Sequence, residues 1–136
     1  MKKKLTYLLL IIICFGCGKD DILSKDLKFD KIKIYYVPFH ITSPVGSTLE
    51  GFRNSKGITI VENDVIEEIR AKLLSLEKLK NDYEFSDTSI HLLCDFYEDN
   101  KKVLTLLHDT SHFEIEESIY KNNNDLINLL VKGFPR

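Results

Sequence analysis

The chain has 136 residues, 43% of them hydrophobic, and a formal charge of −2. That length suits one domain whose core needs no covalent staples. The acidic balance argues against nucleic acid as a partner, because phosphates demand a basic surface.

The first segment reads KKKLTYLLLIIICFGCGKDD from Lys2 to Asp21. Three lysines precede an apolar run from Tyr7 to Phe15. The run is roughly half of the ~20 apolar residues that a helix needs to cross a bilayer. A basic stretch ahead of a short apolar one is the layout of an export signal. It stops at Gly16-Cys17, which resembles the lipobox of bacterial lipoproteins, where a small residue precedes a cysteine that is diacylated, becomes the new N-terminus and is acylated again. Cys14 and Phe15 depart from the residues usual before that pair. The resemblance implies a signal peptide over residues 1–16 and a lipid anchor on Cys17, and two or more acyl chains make a stable anchor. Gly18, Lys19, Asp20 and Asp21 resemble the acidic tether that sends Bacteroidota lipoproteins to the cell surface. The expected location is therefore the outer membrane, lipid-anchored, facing the surface or the periplasm.

Cleavage before Cys17 would leave 120 residues and, with Lys2, Lys3 and Lys4 gone, take the charge from −2 to −5. Of the three cysteines only Cys94 would remain free of lipid or processing, so no intrachain disulfide could form. Residues 17–28 read as a tether and 29–136 as a single domain.

FDKIKIYYVPFHI alternates, with Ile32, Ile34 and Tyr36 on one side and Lys31, Lys33 and Tyr35 on the other. That is a half-buried strand, and Pro38 ends it or places it at an edge. Pro44, Gly46, Gly51 and Gly57 punctuate a loop holding a helical turn around Leu49 and Phe52, and ITIV is a short strand. Asn63 is the expected cap of a helix with a stripe of Ile66, Ile69, Leu73 and Leu76, running to about Lys80. In SIHLLCDFYED, Ile90, Leu92, Cys94 and Phe96 share a face opposite His91, Leu93, Asp95 and Tyr97. DNKK is a turn, VLTLLHD returns as a second strand, and HFEIEESIYK offers a third that folds back at Glu117-Ser118. One of Asn122 to Asn124 caps a last helix with Leu126, Ile127, Leu129 and Leu130 buried, closed by Gly133 and Pro135. The expected class is α+β, a small antiparallel sheet with two main helices packed on one face.

Catalytic chemistry finds little footing. His108 and His112 stand four apart, but in a loop between strands a metal would need a third ligand from His91, His40 or an acid. Cys94 and His91 are three apart on a strand and point to opposite faces, so they form no thiol–base pair. No glycine loop carries phosphate-binding spacing. We expect no catalytic residues, no metal and no cofactor. The one region with functional character is 38–57, long for a connection, with Pro38, Phe39, His40, Arg53 and Asn54 as its contact residues. The expected function is a non-catalytic binding module of the cell envelope, held to the membrane by lipid and directed at an envelope or secreted protein. The alternative is an immunity protein or inhibitor that neutralises a toxin or protease there.

Overall fold

The computed structural model describes residues 21–38, 48–80, 83–85 and 89–135. Nine elements follow in order: β1 (Lys31–Tyr36), α1 (Leu49–Arg53), β2 (Ile58–Ile60), α2 (Asn63–Leu74), β3 (Leu92–Glu98), β4 (Lys101–His108), β5 (His112–Ile115), β6 (Ser118–Lys121) and α3 (Asn124–Val131). The strands form one antiparallel sheet in the order β2-β1-β3-β4-β5-β6. β3 to β6 are a simple meander, while β1 reaches β3 across the α1–β2–α2 excursion. The α+β class and the antiparallel sheet expected from sequence are both present.

The alternation in KIKIYY decides how β1 sits. Ile32 and Ile34 are fully buried with Leu92, Cys94, Phe96, Leu104, Leu106, Phe113, Ile115 and Tyr120. Over this face lie Ile66, Ile69 and Leu73 of α2 and Leu126, Ile127 and Leu130 of α3. The two main helices therefore share one face, as expected. The other face holds a smaller cluster, in which Phe52 of α1 packs with Ile90, Leu93 and Leu107 and partly buried Tyr35, Val37 and Phe85.

The chain begins to dock before residue 29. Leu23 and Leu27 of the expected tether pack against the main core. The ring of Phe29 meets that of Phe96 edge-on at 4.9 Å, and Arg70 lies over Phe29 while donating to its carbonyl at 2.9 Å.

Four local features differ from the sequence expectation, each for a tertiary reason. Glu62, not Asn63, is the N-cap of α2, and its side chain makes no capping bond. α2 stops at Leu74 rather than near Lys80, because residues 77–79 run beside β6. Leu79 N donates to Ile119 O at 2.8 Å and Lys121 N to Glu77 O at 2.9 Å. Those bonds cover an edge strand that would otherwise expose its ladder. The last hairpin turns at Glu116-Glu117, one residue earlier than expected, with both residues at positive φ (46° and 68°). The pairing Ile115↔Ser118 places Phe113, Ile115 and Tyr120 on the core face, and a slip by one residue would turn them to the other. Core burial outweighs turn chemistry there. Finally, α3 is capped by Lys132 in ordinary helical geometry, and Gly133 has no positive φ. A Cβ at Gly133 would lie 2.8 Å from Ile58 Cδ1, so this glycine leaves room for β2 rather than bending the backbone.

Among the described residues, no helix is long and apolar enough to cross a membrane.

Candidate functional site

β3 is buried on both faces from Leu92 to Phe96, which an antiparallel strand shows only when both sides are covered. On the second face the cover is apolar over Leu93 and Leu107. It then gives way to a charge. Asp95 is 1% exposed, and a carboxylate at that depth survives only if it is paired and hydrogen-bonded.

Three neighbours supply this. Arg53, from the last turn of α1, grips it with both arms: Nε donates to Oδ2 at 2.7 Å and Nη2 to Oδ1 at 2.8 Å. Thr105, opposite Asp95 on β4, donates Oγ1–H to Oδ1 at 2.8 Å. Lys102 Nζ stands 3.9 Å from the same oxygen. Burial works to raise the Asp95 pKa, but the bonds from Arg53 and Thr105 and the charges of Arg53 and Lys102 outweigh it and hold the group below its ordinary value. The bond to Asp95 correspondingly raises the pKa of Arg53. Three hydrogen bonds engage the two oxygens of Asp95. It is an ionised hub that ties α1 to the sheet.

Around the hub the face is cationic and aromatic. Lys33 is the register partner of Asp95, and Lys31 that of Tyr97. Their ammonium groups lie 5.2 Å (Lys31) and 5.5 Å (Lys33) from the centroid of the Tyr97 ring, within the range of cation–π attraction. Lys31 also donates to Asn100 Oδ1. Tyr35 lies beside Lys33 on this side of β1, and Gly57 passes so close that a Cβ would meet Tyr35 Cδ1 at 2.8 Å and the backbone oxygen of Ile34 at 2.7 Å. Gly57 is therefore fixed by space. Burial, and then the charge of Asp95, raises the Tyr97 pKa, so its phenol stays neutral. The result is two cations, Arg53 and Lys102, on one carboxylate, and two more, Lys31 and Lys33, over the neighbouring Tyr97 ring.

Of the residues expected as a contact loop, Pro38, Arg53 and Asn54 are described. Arg53 turns inward to Asp95 and keeps 31% of its side chain exposed. Asn54 is the C-cap of α1, its N–H bonded to Glu50 O at 3.1 Å. Pro38 is half-buried just beyond β1, after Val37, which donates its N–H to His91 O at 2.8 Å. Phe39, His40 and Cys17 lie outside the described residues.

The histidine pair is split by the sheet. His108 ends β4 on the helix-covered face, 1% exposed and beside Phe113, whereas His112 opens β5 on the other face. They are strand ends rather than loop residues. His108 Nε2 meets Asn122 Oδ1 at 2.9 Å, and its Nδ1 accepts from Thr110 N at 3.4 Å. An amide oxygen needs a donor and a backbone N–H an acceptor, so the ring is neutral with its proton on Nε2. Burial lowers the His108 pKa in the same sense. Asp109 accepts from Ser111 N, His112 N and Tyr83 Oη at 3.0, 2.9 and 3.0 Å, and so organises the β4–β5 turn. His112 lies against Tyr83, with ring centroids 3.8 Å apart and planes tilted by 46°. Among the described residues, no three His, Cys, Asp or Glu side chains converge as metal ligands. Cys94 lies in the main core, on the face away from His91, and burial pushes its pKa well up. A thiol in that state is a weak nucleophile.

Sequence reasoning missed Asp95, Lys102, Thr105 and the Lys31–Lys33–Tyr97 group. One signal was available: a charge inside LLCDFY must find a cation once both faces of the strand are covered.

Comparison with known proteins finds no matching family model, no matching curated protein and no matching solved structure.

Proposed function

We propose that the protein is a membrane-anchored lipoprotein of the bacterial cell envelope. Its globular head is a non-catalytic binding module that works through the second face of the sheet, beside α1. The observation that carries the binding role is the half-exposed group of Lys31, Lys33, Tyr97 and Lys102 beside the Asp95–Arg53 pair. Charges and rings held in fixed places, with no free acid or base among them, suit recognition better than proton transfer.

The anchor reading gives the head an orientation. Asp21 lies near the Tyr120 hydroxyl, where its charge helps burial to raise the phenol's pKa. The chain thus enters beside the sheet end formed by the β3–β4 and β5–β6 turns. Cys17 is four residues earlier, a reach of at most ~14 Å at ~3.3–3.6 Å per residue. An acylated Cys17 would hold the turn end toward the bilayer and send the opposite end, with Pro38, His91 and His112, about 25 Å outward along β4.

Fractionation of cells expressing Cys17→Ser tests the anchor. The wild-type protein is expected in the membrane fraction, labelled by a fatty-acid analogue, and the variant should lose both properties. Equal membrane retention of the two would overturn the reading.

A further inference from the structure

We infer that the cationic side of the sheet binds an extended acidic segment of a partner protein, whose alternate carboxylates meet Lys31, Lys33 and Lys102. This rests on the reading of the head as a binding module and names the chemistry of its partner.

Three observations carry it. First, among the described residues no carboxylate pairs with Lys31 or Lys33. Both are half-buried, and their contacts there are the Tyr97 ring and the Asn100 amide. Lys102 is 45% exposed and 3.9 Å from an oxygen already taken by Arg53 and Thr105. A chain of net negative charge that keeps such cations together presents a local field of opposite sign, which steers acidic partners.

Second, the spacing fits a polypeptide. Lys31 and Lys33 stand two residues apart on β1, about 6.6–6.8 Å along the strand. Alternate side chains of an extended peptide repeat at the same distance. Tyr97 and Tyr35 provide flat apolar surface between the charges, and such rings serve interfaces well.

Third, acidic residues border the patch. Lys31 and Lys102 stand at the turn end of the sheet, where Lys31 donates to Asn100. That end also exposes Asp30, Glu98, Asp99, Glu116 and Glu117 among Lys28 and Lys101, a mixed surface that gives an anionic headgroup no uniform attraction. On its far side the patch is bounded by Glu114 on β5 and by Glu116, whose Oε1 accepts from Thr105 N at 3.3 Å. This acidic border fixes which side of the face a negative segment occupies.

The test titrates the full-length lipidated protein, in neutral detergent, against a fluorescent polyglutamate peptide. The wild type should bind, and raised salt should weaken binding about tenfold or more. Lys33→Glu combined with Lys102→Glu should weaken it at least as much, while Lys72→Glu with Lys132→Glu, on the helix-covered side, should leave affinity within about twofold. Neither substitution removes a hydrogen-bond donor to Asp95, and matching melting curves establish that the variants fold. Failure of the wild type to bind, or equal binding by the patch variant, overturns the inference. So does a stronger patch-dependent response to polyphosphate, or to phosphatidylglycerol vesicles, than to polyglutamate. If one identified partner is captured equally by wild type and patch variant, the binding module stands and this face is not its site. Loss of membrane attachment in Cys17→Ser is read separately and does not depend on this outcome.

Discussion

On one face of the sheet, Ile32, Ile34, Leu92, Phe96, Leu104 and Leu106 lie under two helices and carry no charge. On the other, Leu93 and Leu107 lie under Phe52, and then Asp95 takes the centre with Arg53, Thr105 and Lys102 around it. The first face is held by non-directional burial at roughly 25 cal/mol per Å² of apolar area. The second depends on a directed ion pair, because the five-residue α1 buries only Phe52. A large apolar face makes the domain stable, and a smaller polar one positions a surface. The contrast explains why the cations gather on the side that the main helices leave uncovered.

The largest effect should come from the apolar face. Phe96→Ala removes a fully buried ring in edge contact with Phe29 and should cost about 3–5 kcal/mol, read from denaturant unfolding. If the loss is under ~1 kcal/mol, the two-helix face is not the main source of stability.

Arg53→Met should cost about 3 kcal/mol, the low end for breaking a buried pair, because the guanidinium is about a third exposed. Adding Asp95→Leu should recover most of that loss, since an apolar pair leaves no orphaned charge. A double variant no better than the single would mean that the second face is held by something other than this pair.

Acid should weaken both faces in separate windows. His108 has a folded pKa below its ordinary value of about 6.5, so the unfolded chain binds the proton first. Its contribution is complete above about pH 6.5 and is lost as pH falls toward the folded value. Asp95 and Asp109 are likewise lowered, and theirs is complete above about pH 4 and lost below it. His108→Gln keeps a donor for Asn122 and should flatten the upper window alone, seen as a smaller drop in unfolding midpoint from pH 7 to pH 5. An unchanged slope would remove His108 as its source.

The smallest effect concerns a turn. Glu117→Gly relieves a side chain at φ 68° and should gain about 0.5–1 kcal/mol. A loss would mean that Glu117 makes a contact worth more than the relief.

Much of the helix-covered face was legible in the sequence. The alternation of Ile32 and Ile34, the stripe of Ile66, Ile69 and Leu73, and the cap ahead of Leu126 each repeat a local period that one element can satisfy by itself. The second face was legible only in part. The helical turn at Leu49–Arg53 and the outward set Lys33, Asp95 and Tyr97 could be read, yet Arg53 looked like a loop contact, and its partner is 42 residues away.

The sequence by itself determined which residues turn inward and which helices carry an apolar stripe, because periodicity is written within a single strand or helix. Only the tertiary structure decided that β1 lies between β2 and β3, that residues 77–79 leave the helix to cover β6, and that Arg53 and Lys102 meet one buried carboxylate. Those outcomes depend on pairing between distant segments, where each backbone donor and each buried charge takes the partner that the assembled sheet puts within reach.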